Sequence, residues 1–125
     1  MFTLTGEYRI YCHEEIETGK KYVGLTGQPG NSRLRQHIRG ANYPAGKSIP
    51  LFGLIIIAHG IRTIEDFHKH FTTTILEEGL THVDAKVREQ YWIEFYDSWK
   101  NGYNSTKGGE LDLTLNGVGK MELFV

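Results

Sequence analysis

Between residues 20 and 40 the chain passes from an extended run into a helical one through a loop dense in breakers. Lys20 to Leu25 reads as a strand carrying Tyr22-Val23-Gly24. Thr26, Gly27, Pro29 and Gly30 then reverse the chain, and Ser32-Arg33-Leu34-Arg35-Gln36-His37-Ile38 opens a helix that the pattern ends near Gly40. Ser32 is the expected N-cap and Gly40 the expected stop. Arg33 and His37 are four apart and share one helix face. A tyrosine, an arginine and a histidine are therefore brought toward one concave spot.

The other elements arrange themselves around this unit. Residues 7–12 alternate and carry Tyr8, Ile10 and Tyr11, which predicts a strand. Thr18-Gly19 supplies a hairpin turn, so the chain opens with an antiparallel pair. Pro50 suits a first helical turn, and Leu51, Leu54, Ile55 and Ala58 keep helical spacing up to His59-Gly60. The run Leu54–Ile57 also fits a buried strand. Phe67 to Leu76 alternates and is β-branched, which predicts a third strand that Glu77-Glu78-Gly79-Leu80 leaves. Thr81 to Lys100 reads as the longest helix, with Asp84 as its N-cap, Trp92 and Trp99 on one core-facing side, and Gly102 as its end. A polar loop follows to Gly109, and Leu111 to Val125 alternates as a terminal hairpin. The expected fold is α+β: a small, mostly antiparallel sheet of about three strands flanked by about three helices. One domain spans residues 1–109, and residues 110–125 form a short β extension.

Composition restricts the function classes. A 125-residue chain with 39% hydrophobic residues has the size and apolar content of one ordinary globular domain. No apolar run approaches the ~20 residues that span a bilayer, and no secretory leader pattern opens the chain, so no membrane partner is expected. Cys12 is the single cysteine, which excludes an internal disulfide and fits a reducing, cytoplasmic compartment. The net charge of −1 lacks the basic footprint of a nucleic-acid binder. Contact with a polyanion therefore falls to a local cluster, Lys20, Lys21, Arg33, Arg35, Arg39 and Lys47, in the first half of the chain.

Taken in order, these pieces resemble the GIY-YIG nucleases, over about residues 7–109. The second half of that family's signature stands as Tyr22-Val23-Gly24, and the first as Arg9-Ile10-Tyr11, with ten residues between the two tyrosines. Arg33-x-x-x-His37 matches the family's helix motif. Arg88-Glu89-Gln90-Tyr91-Trp92-Ile93 is similar to its glutamate-bearing helix, and Gly102-Tyr103-Asn104 to its asparagine loop. Two departures stand out. Arg9 occupies the glycine position of the first half, and no added DNA-binding domain is visible. A rival register uses Gly6-Glu7-Tyr8, which keeps the glycine but lengthens the hairpin by three residues and requires a bulge. Tyr11 needs none and is preferred.

The resemblance implies a divalent-metal-dependent DNA endonuclease of the phage or mobile-element homing type. Its substrate would be double-stranded DNA, cut with one Mg²⁺ or Mn²⁺ ion. Phosphodiester hydrolysis needs an activated water, charge stabilisation and a leaving-group acid. In this reading Glu89 holds the cation with waters and phosphate oxygens. Arg33 clamps a phosphate, Tyr11 or Tyr22 deprotonates or positions the water, His37 assists by hydrogen bonding, and Asn104 positions Glu89 or the backbone. Lys20, Lys21, Arg35, Arg39 and Lys47 are the expected DNA-backbone contacts. A homodimer or a separate specificity partner would supply target choice. The competing reading is a DNA-binding or regulatory module on the same fold with little activity. His68-x-His70 has one-face strand spacing but no third metal ligand nearby, and His13, His59 and His82 read as loop or helix-end residues.

Overall fold

The computed structural model of the protein describes residues 6–108. Its elements run β1 (Tyr8–Glu15), β2 (Lys21–Thr26), α1 (Ser32–Asn42), α2 (Leu51–Ala58), α3 (Ile64–His70), β3 (Phe71–Leu80) and α4 (His82–Tyr96). The strands form one antiparallel sheet in the order β2-β1-β3. The expected α+β class and three-stranded sheet are both present, with four helices among the described residues rather than about three. The expected terminal hairpin of residues 110–125 lies outside them.

Period-2 alternation along β1 divides the molecule into two cores. Ile10 and Cys12 point to one face, where Val23, Ala85 and Ile93 close a core under α4. Tyr11, His13 and Glu15 point to the other, beneath α1, α2 and α3, whose core gathers Leu34, Ile38, Phe52, Ile56, Phe67 and Phe71. His13 is thus a buried strand residue, not the loop residue its acidic neighbours suggested.

Six boundaries depart from expectation, each for a local reason. Residues 67–70 are helical rather than extended. Thr63 caps α3 by accepting from the Asp66 N–H at 3.0 Å, Glu65 and Asp66 occupy the first turn, and His68, Lys69 and His70 the last. Phe67 and Phe71 are therefore core neighbours one turn apart, not alternate residues of a strand. β3 begins only at Phe71 and continues through Glu77 and Glu78 to Leu80, because Glu77 accepts from Arg88 Nε and Trp92 Nε1, each at 2.6 Å, and so ties the strand to α4. Thr81, not Asp84, caps α4, accepting from the Asp84 N–H at 3.1 Å. That helix stops at Tyr96, where Asp97 turns left-handed (φ 54°), well before Gly102. At α1 Asn31 is the N-cap and Ser32 the first helical residue, and the helix passes Gly40 to Asn42, whose amide bonds the carbonyls of Ile38 and Ile61.

The edge strand β2 is sealed by the segment after α4. Asn104 donates to the Val23 carbonyl and accepts from the Val23 N–H, both at 2.8 Å. Tyr103 N–H donates to the Lys21 carbonyl at 2.8 Å. One asparagine amide thus acts as a one-residue strand against an exposed edge.

Candidate active site

Tyr11 and Tyr22 stand on neighbouring antiparallel strands and point to the same face, with ring centroids 6.4 Å apart. Tyr11 lies across Gly24, its register partner. A Cβ at residue 24 would sit 2.4 Å from the Tyr11 hydroxyl, so glycine is the residue that lets the phenol pass. The third position of Tyr22-Val23-Gly24 therefore exists for the tyrosine on the adjacent strand. Tyr8 points away from this pair. It stacks on His82 with centroids 4.7 Å apart and packs against the α4 core, on the opposite side of the sheet. In the sheet Tyr11, not Tyr8, is the residue paired with Gly24 on the face that Tyr22 shares.

α1 brings its two predicted residues to the phenols. His37 Nε2 lies 3.2 Å from the Tyr11 hydroxyl. The same imidazole stands edge-on to Tyr22 and to Phe52, which stacks on Tyr22 with centroids 4.1 Å apart. Burial and the nearby Arg33 charge push His37 down to about 3, so it is a neutral ring at working pH. Burial pushes the Tyr22 phenol up to about 12, the Glu89 charge adds to that rise, and Arg33 opposes it. Tyr11 is raised well above the ordinary phenol value, chiefly by burial and then by Tyr22. Arg33 pulls it back through charge and a hydrogen bond, and Glu89 pushes it up. Both phenols thus feel the guanidinium of Arg33 from one helix and the carboxylate of Glu89 from another. Arg33 is only half-buried and also donates to Gln36 Oε1 at 3.0 Å.

Asn104 stands apart from this group. Its amide is spent on the Val23 backbone and on the Ser98 hydroxyl at 2.7 Å. It holds Tyr22-Val23-Gly24 in place rather than touching the reacting groups. The basic residues are dispersed. Arg35 and Arg39 line a groove of about 620 Å³ on the outer side of α1 with Arg62. Lys47 is exposed in the loop after α1, and Lys20 is exposed at the hairpin with Nζ 6.0 Å from the Tyr103 ring centroid. Lys21 faces α4, 3.9 Å from Glu14 and 5.2 Å above Tyr96.

Three cleft residues escaped the sequence reading. Arg9 donates to the carbonyls of Gln28 (2.8 Å) and Gly30 (2.7 Å), so the arginine in the signature's glycine position braces the loop before α1. His13 lines the cleft next to Tyr11, and α3 brings His68 to it from the far side. Strict alternation from Tyr11 would have placed Arg9 and His13 on the site face. His68 was hidden by the misread of α3 as strand.

A GIY-YIG catalytic domain model matches residues 7–104. The chain belongs to the GIY-YIG family. Two solved structures of a homing endonuclease share its fold. A mutant of the catalytic domain of intron endonuclease I-TevI is 26% identical, with a TM-score of 0.61 over 82% of this chain and 94% of that one. The structure of the catalytic domain of homing endonuclease I-TevI is 27% identical, with a TM-score of 0.57 over 80% and 96%. No curated protein matches the chain. As a GIY-YIG member, the protein is an endonuclease.

Proposed function

We propose that the protein hydrolyses phosphodiester bonds of double-stranded DNA in a divalent-cation-dependent reaction, with Tyr11, Tyr22, Arg33, His37 and Glu89 as the working group and Asn104 as its brace. The observation that carries this reading is the convergence of two phenols, a neutral imidazole and a guanidinium on one cleft, with the Glu89 charge acting on both phenols. Among the described residues no group of three or more His, Cys, Asp or Glu side chains is placed to hold a metal. The half-buried Glu89 carboxylate suits a hard cation that takes its remaining oxygens from water and substrate, Mg²⁺ or Mn²⁺ rather than a soft ion. When bound, that ion supplies positive charge against the phosphate and lowers the pKa of a coordinated water.

The chain's own residues do the rest. Arg33 presents a planar fork to the phosphate and carries positive charge to the site of developing negative charge. The Tyr11 and Tyr22 phenols hold their protons at neutral pH, so in the resting enzyme they orient the attacking water. In the tautomer protonated at Nδ1, His37 accepts a hydrogen bond from the Tyr11 hydroxyl at Nε2 and fixes that phenol's direction. A module of net charge −1 binds DNA weakly by itself, and target choice supplied by a second copy or a separate partner suits an enzyme of the homing type working in a reducing cytoplasm. The intact site favours catalysis over a purely DNA-binding role.

Incubation with supercoiled plasmid and Mg²⁺ or Mn²⁺ tests the reading. The expected result is nicked or linear product from the wild type, none with chelator, and none from Glu89→Ala. Equal cleavage by Glu89→Ala, or cleavage indifferent to chelator, would overturn it.

A further inference from the structure

The loop that joins β2 to α1 is hydrogen-bonded to β1 by one side chain. Arg9 stands on β1 opposite Thr26, the last residue of β2. Its guanidinium reaches the loop and donates from Nη1 to the Gln28 carbonyl at 2.8 Å and from Nη2 to the Gly30 carbonyl at 2.7 Å. Among the described residues, the other hydrogen bonds of residues 27–31 are local. Gln28 N–H donates to Thr26 Oγ1 at 3.0 Å, the Pro29 carbonyl accepts from Ser32 N–H at 3.3 Å, and the Asn31 carbonyl accepts from Arg35 N–H at 2.9 Å. Asn31 is the N-cap of α1, yet its side chain makes no capping bond, and no acidic residue lies in the helix's first turn. The usual means of fixing a helix start are therefore missing from α1 itself. The planar fork of Arg9 on two carbonyls takes their place.

Arg33 is the second residue of that helix, and it lines the same cleft as Arg9 and Tyr11. Leu34, Ile38 and Ala41 anchor the body of α1 in the core and keep His37 beside Tyr11. The first turn, with Arg33, follows directly on the braced loop. We infer that Arg9 is a positioning residue for phosphodiester cleavage, acting through Gln28 and Gly30 to set where the Arg33 guanidinium meets the phosphate. This rests on the hydrolytic reading given above. The charge of Arg33 is felt at both phenols and at His37, so its place matters to each of them. A lysine at position 9 would keep the charge but bring a point donor on a flexible stem to two carbonyls that a rigid fork now spans.

A double-mutant cycle on cleavage separates this role from a direct phosphate contact and from a general effect on folding. The measurement is the single-turnover rate on supercoiled plasmid at saturating enzyme with Mg²⁺ or Mn²⁺, for wild type, Arg9→Met, Arg33→Ala and the double variant. Arg9→Met keeps the apolar stem and removes the fork. It is expected to lose about 10²-fold in rate, the cost of a misplacement of about 1 Å. In the Arg33→Ala background the same change is expected to cost less than about threefold, because residues that act as a unit do not add. Arg9→Lys is expected to stay about tenfold below wild type. Affinity for a DNA duplex by fluorescence anisotropy, and far-ultraviolet circular dichroism, are expected to match wild type for both variants. Should Arg9→Met fail to fold, Arg9→Lys and its own double variant complete the cycle. Losses that add in the double variant, or a full rate in Arg9→Met or Arg9→Lys, overturn the proposal while leaving the hydrolytic reading intact. Arg33→Ala cleaving like wild type would instead overturn the parent reading, and this inference with it.

Discussion

Gly24 and His13 show how single residues set this site. Gly24 is required by contact rather than by backbone angle, since a methyl group there would overlap the Tyr11 phenol. Gly24→Ala should therefore keep the fold but displace Tyr11 from His37. A misplacement on the order of 1 Å costs about 10²-fold in rate, so kcat should fall by that order while the far-ultraviolet circular dichroism stays native. An active Gly24→Ala enzyme would show that the Tyr11 direction is not critical. His13 is held neutral between Phe52 (5.7 Å) and Phe67 (4.8 Å), its value pushed down to about 3 chiefly by burial. The folded value lies below the unfolded one of about 6.5, so the unfolded state binds the extra proton between those limits. Stability is full above about pH 6.5 and falls as the pH drops toward 3, by about 3 kcal/mol at pH 4 from this residue alone. Urea unfolding of wild type and His13→Phe from pH 7 to 4 checks this. The two curves should diverge on acidification, with wild type losing more, and parallel curves would refute it.

At the scale of elements, the hairpin and α1 were legible because both obey local rules. The strands alternate, Gly19 takes the left-handed turn position (φ 77°), and Leu34, Ile38 and Ala41 repeat on a helical face. α3 was not. Seven residues are too few to display a period, and Phe-His-Lys-His-Phe alternates as well as any strand. The cue that decides it, Thr63 capping Asp66, lies before the alternating run. The long-range role of Asn104 was hidden for another reason: its partner is backbone, which carries no sequence signal. Likewise α4 exposes Val87, Tyr91 and Phe95, and its core face is set by Ala85 and Ile93, a choice made by the sheet rather than by hydropathy. The β2 seal yields a sharp expectation. Asn104→Ala leaves the Val23 N–H and carbonyl without their partner in a buried place, a loss of about 2–4 kcal/mol. For a domain of this size that lowers Tm by roughly 10 °C or more. Differential scanning calorimetry reads it directly, and a shift of only a degree or two would show that the edge does not need its asparagine.

The whole molecule reconciles a net charge of −1 with a polyanionic substrate by partition. On the α4 side two carboxylates are paired within the chain, Glu14 facing Lys21 at 3.9 Å and Glu77 bonded to Arg88 at 2.6 Å. On the α1 side Arg33 enters the cleft, while Arg35, Arg39 and Arg62 share the outer groove, and no carboxylate is among that groove's lining residues. One helix thus turns one basic face to the cleft and another to the outer groove. The two faces should separate kinetically. Phosphate contacts release counterions, so each one lost reduces the slope of log K against log salt by about 0.9. Arg35→Ala and Arg39→Ala should each weaken binding regardless of sequence and flatten that slope by about one, while the single-turnover rate at saturating enzyme stays near wild type. Arg33→Ala should do the reverse, with affinity changed little and the rate falling about 10²–10³-fold. Titrations from 50 to 200 mM salt, paired with single-turnover cleavage, distinguish the two. Were Arg35→Ala to slow the chemical step as much as Arg33→Ala, the outer face of α1 would belong to the active site, and the duplex would have to cross this helix rather than run along it.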